Sequence, residues 1–559
     1  MWTDPEIRSA QLKVGAGGLG VAAGSAALDA TTTWPLLEAA ALLGGTAGSV
    51  AAAGAAAHHA WHFAPARAFR RELGDPFGWL DARDLKAAAG ADAVRAQAAG
   101  LFRDRDPHRH PIHVSGWEVG RLVSGPAPLR RRRVYCPWAR GVGILGPQGS
   151  GKSQYLIRML LDAPGAAVVS STKPELAQAT MALRARTGPV WVFNPGQLGD
   201  LNNTLRWDPV AGCEREQTAS RRAAALVRGA GAARGADNAE FWAQKAGEII
   251  RCYLMAAALT GHGMEAVLSW ANNPADETPL RYLDQHTGPG GPVPTAWVQT
   301  LRTHLAAAHN TRTGYFANVV SAVNFVDNPV IAQACRPEPG AGLDVAEFLA
   351  AGGTLYLVGG GDDARVAPLF TALVEHLFDT AKQVAAQAGG VLPTTCAFLL
   401  DEVANITPVP LDRWAADSRG WGITVCGVVQ SLAQFATTWG REAGEVIWQN
   451  LPTKVILPGV SDTDDLDDLA YLGGKRRIPQ HTDAVSTADD GHRSRSTSTT
   501  RPRELVVDGD VIARMPRWHA YVLGLGQHPA IVRYTPGHAV VKRRRAAHGL
   551  DREAGGSGP

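Results

Sequence analysis

Cysteine is scarce in this chain: six in 559 residues, at 136, 213, 252, 335, 396 and 426, with no C-x-x-C spacing. That spacing offers neither a zinc site nor a disulfide framework, and it fits a reducing, cytoplasmic setting. Cys396 and Cys426 stand in apolar, strand-like runs and read as small core residues. A charge of one sign is also lacking. With 55 basic and 52 acidic residues the net charge is +3, so a polyanion would have to be met by local patches. At 45% apolar and 19% charged residues the composition is globular, and the length gives a prior of about three to four domains. No internal repeat is visible. Long apolar runs are absent, too. A helical membrane span takes roughly 20 apolar residues, and the nearest approaches are two uncharged, Ala/Gly-rich runs of 15 and 19 residues at 14–28 and 39–57.

Those two runs are read as a membrane hairpin. Arg8 and Lys13 precede it, Arg67, Arg70 and Arg71 follow it, and no Lys or Arg lies between 14 and 66. By the positive-inside rule both ends face the cytoplasm, with Asp29 to Glu38 as a short external turn. Small residues also let helices pack closely in lipid. An Ala-rich soluble hairpin is the alternative, because Ala contributes little to insertion. The expected organisation is a hairpin anchor over 1–63 and a juxtamembrane connector over 64–130. In that connector His108, His110 and His113 read as part of a solvated loop rather than a metal site. A basic run, Arg130 to Arg133, closes it.

From 141 the pattern turns to alternating strand and helix. Apolar, β-rich runs occur at 166–170, 190–193, 354–358, 396–400, 423–429, 454–457 and 519–525. Several are uninterrupted, as parallel strands buried on both faces require. Helical patterns separate them, which predicts an α/β fold with a doubly wound, mostly parallel sheet. Between 207 and 345 the strand rhythm stops and helices are expected, including Ala239 to Leu259 with Phe241, Trp242, Ala246, Ile249, Ile250, Tyr253 and Leu254 on one stripe. The α/β domain is therefore expected in two parts, 131–206 and 346–540, around an all-α insertion over 207–345. Residues 480–503, rich in Ser, Thr, Asp and Arg without periodicity, read as a mobile loop. A disordered tail is expected over 541–559.

What organises these segments is Gly146-Pro147-Gln148-Gly149-Ser150-Gly151-Lys152-Ser153, which satisfies G-x-x-x-x-G-K-[ST]. Val142, Ile144 and Leu145 precede it as a strand, and Tyr155, Leu156, Met159 and Leu160 follow with helical spacing. Glycines there let backbone N–H groups turn toward phosphates at a helix N-terminus. Lys152 is expected to reach the β/γ-phosphates, Ser153 to hold Mg²⁺, and Gln154 to adjoin the bound nucleotide, ATP. A second element is Cys396 to Leu400 followed by Asp401-Glu402. Asp401 is expected to hold Mg²⁺ in line with Ser153, and Glu402 to orient and deprotonate the attacking water. Gln430, at the end of the strand 423–429, could sense the γ-phosphate. Arg419, on the approach to that strand, is a candidate arginine finger for a neighbouring subunit's nucleotide.

GPQGSGKS, SSTKPELAQAT (170–180) with VWVFNP (190–195), LLDEVANI, SRGWGITVCGVVQSLAQFATTWG (418–440) and TKVILPG (453–459) together resemble the VirD4/TraG/TraD family of type IV secretion coupling proteins. The likeness spans roughly 140–535 and is similar to actinobacterial members in its Ala/Gly-rich style. It implies a two-helix membrane anchor, a RecA-like motor facing the cytoplasm, an all-α domain, and a ring, commonly hexameric. It also implies ATP-driven delivery of relaxase-bound DNA to a secretion channel, with Lys152, Ser153, Asp401, Glu402, Gln430 and Arg419 in the roles above. Family members often have Asp where Thr172 and Asn194 stand, which bears on local packing. DNA contact is expected to be electrostatic and sequence-independent, with Lys475, Arg476, Arg477 and the arginines of 493–503 as candidates. Two other readings stay open: a DNA-pumping ATPase of chromosome segregation, and a nucleotide-gated adaptor that recruits substrates without hydrolysis.

Overall fold

Segments with no polar face must be covered on both sides, and in the computed structural model they lie at the centre of one sheet. The structure describes residues 69–70, 73, 76–99, 108–231, 238–338, 342–360, 365–478, 480–487 and 493–550. The chain divides into two units, 1–74 and 75–559. Only Phe69, Arg70 and Leu73 of the first are described, so the hairpin expected over 1–63 lies outside the described residues. Among the described residues no helix is long and apolar enough to cross a membrane.

In chain order the strands are β1 (Gly116–Leu122), β2 (Arg133–Pro137), β3 (Val142–Leu145), β4 (Ala167–Ser171), β5 (Val190–Phe193), β6 (Thr354–Val358), β7 (Cys396–Leu400), β8 (Ile423–Val429), β9 (Thr453–Ile456), β10 (Lys475–Arg477), β11 (Gln480–Thr487), β12 (Arg493–Thr500), β13 (Arg503–Leu505), β14 (His519–Leu523) and β15 (Ala530–Arg533). Eleven of them form one sheet in the order β2-β1-β15-β14-β9-β3-β8-β7-β4-β6-β5. From β9 to β5 all neighbours are parallel. Antiparallel pairing then adds β14, β15, β1 and β2 at the β9 edge. The expected α/β fold with a mostly parallel sheet is what is observed. All residues of β3, β4, β6, β7 and β8 are buried, as two covered faces demand.

Six helices matter below: α1 (Lys152–Asp162), α2 (Glu175–Arg184), α3 (Glu216–Ala230), α4 (Ala239–Thr260), α5 (Val366–Gln387) and α6 (Gly537–Ala547). Between β5 and β6 every named element is a helix. In α4, Ala246, Ile249, Ile250, Tyr253 and Leu254 are buried, while Phe241 is 43% exposed; the predicted stripe leaves the core at its N-terminal end. All six cysteines are free and buried.

Three expectations are corrected. The connector over 64–130 includes β1, which pairs with both β2 and β15 and so belongs to the eleven-stranded sheet. Its GWEVGRL sequence carries Glu118 and Arg121 and hides the strand, because only one face is apolar. Residues 480–503 include a two-stranded ribbon, β11 against β12, in register from Gln480↔Thr500 to Thr487↔Arg493. Its Ser/Thr-rich strands have no apolar period to read, although Thr suits a pleated backbone. Residues 541–547, expected in the tail, are the end of α6. Val540 and Val541 are buried there, and the Arg544 guanidinium pairs with Asp162 and donates to the Leu161 carbonyl at the end of α1.

The antiparallel strands brace the loop-bearing helix. On α1, Tyr155 packs edge-on between Trp117 of β1 and Tyr534 beyond β15, at centroid distances of 5.7 and 4.8 Å. Arg158 of the same helix pairs with Glu118 of β1 at 2.8 Å. The site is thus held from below by the parallel strands and from the side by the antiparallel ones.

Candidate nucleotide-binding site

Strands β3, β8 and β7 are adjacent and parallel, so their carboxyl ends lie side by side: Leu145 is paired with Val429, and Leu400 with Gly427. The next residue or residues of each strand are Gly146, Gln430 and Asp401-Glu402. This is the edge where open parallel sheets bind ligands, and it gathers elements some 250 residues apart in sequence.

The Gly146 loop turns through two left-handed glycines, Gly149 at φ +81° and Gly151 at φ +102°. At Gly151 a Cβ would also lie 2.9 Å from the Tyr534 hydroxyl and 3.2 Å from the Trp518 ring, so only glycine fits. Helix α1 begins at Lys152 directly after it. The Lys152 ammonium donates to the Gly146 and Pro147 carbonyls at 2.8 and 3.1 Å, folded across the loop it belongs to. Burial pulls its pKa down, and the facing charge of Asp401 opposes that pull. The buried Ser150 hydroxyl has no hydrogen-bond partner, an orphaned donor within the loop that suits a ligand oxygen.

Across the site the Ser153 hydroxyl donates to Asp401 Oδ2 at 3.3 Å. Asp401 is 4% exposed, and its backbone carbonyl accepts from Ser170 at 3.2 Å. Its carboxyl pKa is pushed up to about 6, chiefly by burial and then by the neighbouring Glu402 charge, against the pull of Lys152 and Ser153. Glu402 has φ +47° and ψ +46°, a left-handed conformation uncommon outside glycine and frequent at functional sites. Its carboxylate is fixed from two sides. Gln430 Nε2 donates to Oε1 at 3.0 Å, and Asn405 Nδ2 donates to Oε2 at 3.3 Å. Gln430 is itself anchored, its backbone N–H donating to Gln434 Oε1 at 2.7 Å.

The structure therefore brings together Gly146 to Ser153, Asp401, Glu402 and Gln430. Gln154, just beyond, accepts from the His538 backbone N–H at 2.8 Å and lies 3.1 Å from its Nδ1. Arg419 is elsewhere. It is exposed, in a 3₁₀ turn at Ser418–Trp421 before the amino end of β8. At about 3.3 Å per residue, seven strand residues put it about 20 Å from the loops of its own chain. Lys475 and Arg477 are exposed on β10, whereas the half-buried Arg476 donates to the Phe77 carbonyl at 3.4 Å. Among the described residues no cluster of three or more His, Cys, Asp or Glu could hold a metal, and His108, His110 and His113 form none.

Sequence reasoning passed over Asn405 as a positioning side chain, although it stands in the quoted LLDEVANI, three residues after Glu402. It had no signal for Trp518, Tyr534 or His538, which reach the loop from the far end of the chain. Asn194 explains one departure noted above. It is fully buried; its Nδ2 donates to the Leu201 and Leu198 carbonyls at 2.7 and 3.1 Å, while Oδ1 accepts from the Leu198 N–H at 2.9 Å. A carboxylate could not make the two donations.

Comparison with known proteins places these features. Residues 395–517 match the family model described as the TraM recognition site of TraD and TraG. A search of curated protein sequences finds no match. Among solved structures, the bacterial conjugative coupling protein TrwBdeltaN70 in its unbound monoclinic form is 18% identical, with a TM-score of 0.52 over 72% of this chain and 87% of that one. The plasmid coupling protein TrwB in complex with the ATP analogue ADPNP is 18% identical, with a TM-score of 0.50 over 71% and 86%. TrwB with the GTP analogue GDPNP is 17% identical, with the same score and coverage. In fold this chain is therefore similar to the conjugative coupling protein TrwB, and in the sequence pattern of residues 395–517 to TraD and TraG.

Proposed function

We propose that the chain is a DNA-transfer coupling ATPase: it hydrolyses ATP and uses the energy to deliver relaxase-bound DNA to a type IV secretion channel. The observation that carries the hydrolytic part is the junction of Ser153, Asp401, Glu402 and Gln430 at the ends of three neighbouring strands. Lys152, now held by its own loop carbonyls, is placed to exchange them for β/γ-phosphate oxygens. Glu402, held by Gln430 and Asn405, orients and deprotonates the attacking water. Its contact with Gln430 gives the strand β8 a direct route from the γ-phosphate to the rest of the sheet.

Ser153 Oγ and Asp401 Oδ2 are two hard oxygen donors 3.3 Å apart, and burial first, then the neighbouring Glu402 charge, raises the Asp401 pKa. Both fit Mg²⁺, which would neutralise charge on the phosphates when bound. The transport part rests on the likeness to coupling proteins. The match over 395–517 concerns, in TraD and TraG, recognition of TraM; here the same segment is taken as the place where a relaxosome component docks. Arg419, remote from its own loop, fits a ring in which each subunit completes its neighbour's site, and the sheet domain, with β1 and α6 included, acts as the motor around the insertion over 207–345. Membrane attachment through residues 1–63 completes this reading.

The test is ATP hydrolysis by the purified protein with and without DNA. DNA stimulation that disappears in Lys152→Ala is the expected result. A rate indifferent to DNA would remove the transport reading, and tight ATP binding without turnover would favour the nucleotide-gated adaptor.

A further inference from the structure

Beside Ser153 the loop opens into a cleft of about 390 Å³ between α1, α2 and α6, within the size range of small-molecule sites. Its floor is apolar, made by Ile157 of α1, Leu176 and Ala179 of α2, and Val541 of α6. Glu175 of α2 and Lys542 and Arg545 of α6 also line the cleft, but the floor itself offers a phosphate only hydrocarbon, against which burying its charge is costly. A flat, weakly polar ring system suits it. The polar groups at its mouth converge from two ends of the chain. Gln154 Oε1 is occupied by the His538 backbone N–H at 2.8 Å, which fixes the amide so that Nε2 is left to donate outward. The His538 imidazole is exposed and rests against Trp518, with centroids 5.9 Å apart and planes at 63°.

Trp518 is the least expected member. It is bulky and has φ +65°, a conformation that marks a residue held in place by its surroundings. Its ring lies against Gly151 of the phosphate loop, edge-on to Tyr534 at 6.0 Å, with the Arg517 guanidinium 4.4 Å over its face. The aromatic group thus spans the step from loop to cleft.

We propose that this cleft receives the nucleoside of the bound nucleotide, with the base packed over Ile157, Leu176 and Val541, His538 as its aromatic wall, and Gln154 Nε2 donating to a base or ribose acceptor. Helix α6 is then part of the ligand site, and Trp518 and Tyr534 position it against the loop. The assignment rests on the reading of Gly146–Ser153 as a triphosphate loop and adds to it where the rest of the molecule goes.

Binding of Mg²⁺-ADP and of Mg²⁺-tripolyphosphate to the full chain by calorimetry separates the two ideas. Tripolyphosphate probes the loop alone, while ADP probes loop and cleft. His538→Ala removes the aromatic wall and is expected to weaken ADP about fivefold. Ala179→Trp fills the cleft and should weaken ADP by more than tenfold. Tripolyphosphate affinity should stay at the wild-type value in both variants, which also reports that they are folded. Unchanged ADP affinity in Ala179→Trp would overturn the proposal, as would a parallel loss of both ligands in His538→Ala. Wild-type protein that binds neither ligand would instead sink the loop reading, and the cleft assignment with it.

Discussion

At the scale of single residues, the site is a set of charges that the fold holds at a cost. Asp401 has an unperturbed pKa of 3.8 and is raised to about 6 in the folded chain. Between those values the native state binds more protons than the unfolded one, so stability falls as pH rises from about 4 to about 6. Asp401→Asn removes that ionisation. It should flatten this segment of the stability–pH curve and raise stability at pH 7 by about 1–2 kcal/mol, while hydrolysis is lost. Thermal unfolding of the ligand-free chain across pH checks it; an unaltered curve would assign the slope to other groups. Glu402→Gln should keep ATP bound and reduce turnover by at least about a hundredfold, measured as single-turnover hydrolysis. Asn194→Asp replaces two buried donations with a buried negative charge, and should destabilise by about 2–3 kcal/mol in denaturant unfolding. These positions were legible to different degrees. Lys152, Ser153, Asp401 and Glu402 stand in short motifs whose spacing follows from phosphate chemistry. The need for Asn at 194 follows from a turn at 194–201 that the spacing does not reveal.

At the scale of elements, legibility tracked burial. Strands β3 to β9 are covered on both faces or nearly so, and their apolar runs announce them. β1, β2 and β15 carry charged residues on their outer faces and depend for their place on pairing with distant strands, which no local period encodes. Helix α6 was concealed by its composition. Lys542 to Arg545 reads as a solvated run, yet Val540, Val541 and the Arg544–Asp162 pair tie it to α1. Arg544→Ala should therefore cost about 1–2 kcal/mol, an effect absent for Arg543→Ala, which removes an exposed charge. In the helical part, Arg228 of α3 is paired with Glu375 of α5, whose carboxyl burial pushes up to about 7. Arg228→Ala leaves that carboxyl without its partner and should destabilise by about 3 kcal/mol, whereas Glu375→Gln should cost much less, because the Arg228 side chain is 29% exposed and can still donate to the amide oxygen. Comparable losses in both variants would argue against this account.

At the scale of the whole molecule, the distance between Arg419 and the loop of its own chain is the informative fact. A finger acting across subunits predicts turnover per protomer that rises with protein concentration. It also predicts that mixing Arg419→Ala with Lys152→Ala restores part of the activity missing from each alone, since one mixed interface carries both intact groups. Activity independent of concentration, with no recovery on mixing, would leave Arg419 as a surface charge. Assembly is the least legible level of the sequence, because the contacts of a ring would need neither heptads nor a continuous apolar face.

The helices between β5 and β6 leave and re-enter the sheet through neighbouring parallel strands, Val190↔Thr354 to Phe193↔Leu357. An excursion that leaves the carboxyl end of one strand and re-enters at the amino end of its immediate neighbour can lengthen, shorten or be exchanged without shifting any other strand. It is attached at the sheet edge farthest from the antiparallel strands that brace α1. Natural variation can therefore work on one part of the molecule while the other keeps time, and a chimaera joined at Phe193 and Thr354 would inherit its engine from one parent and its helical face from another.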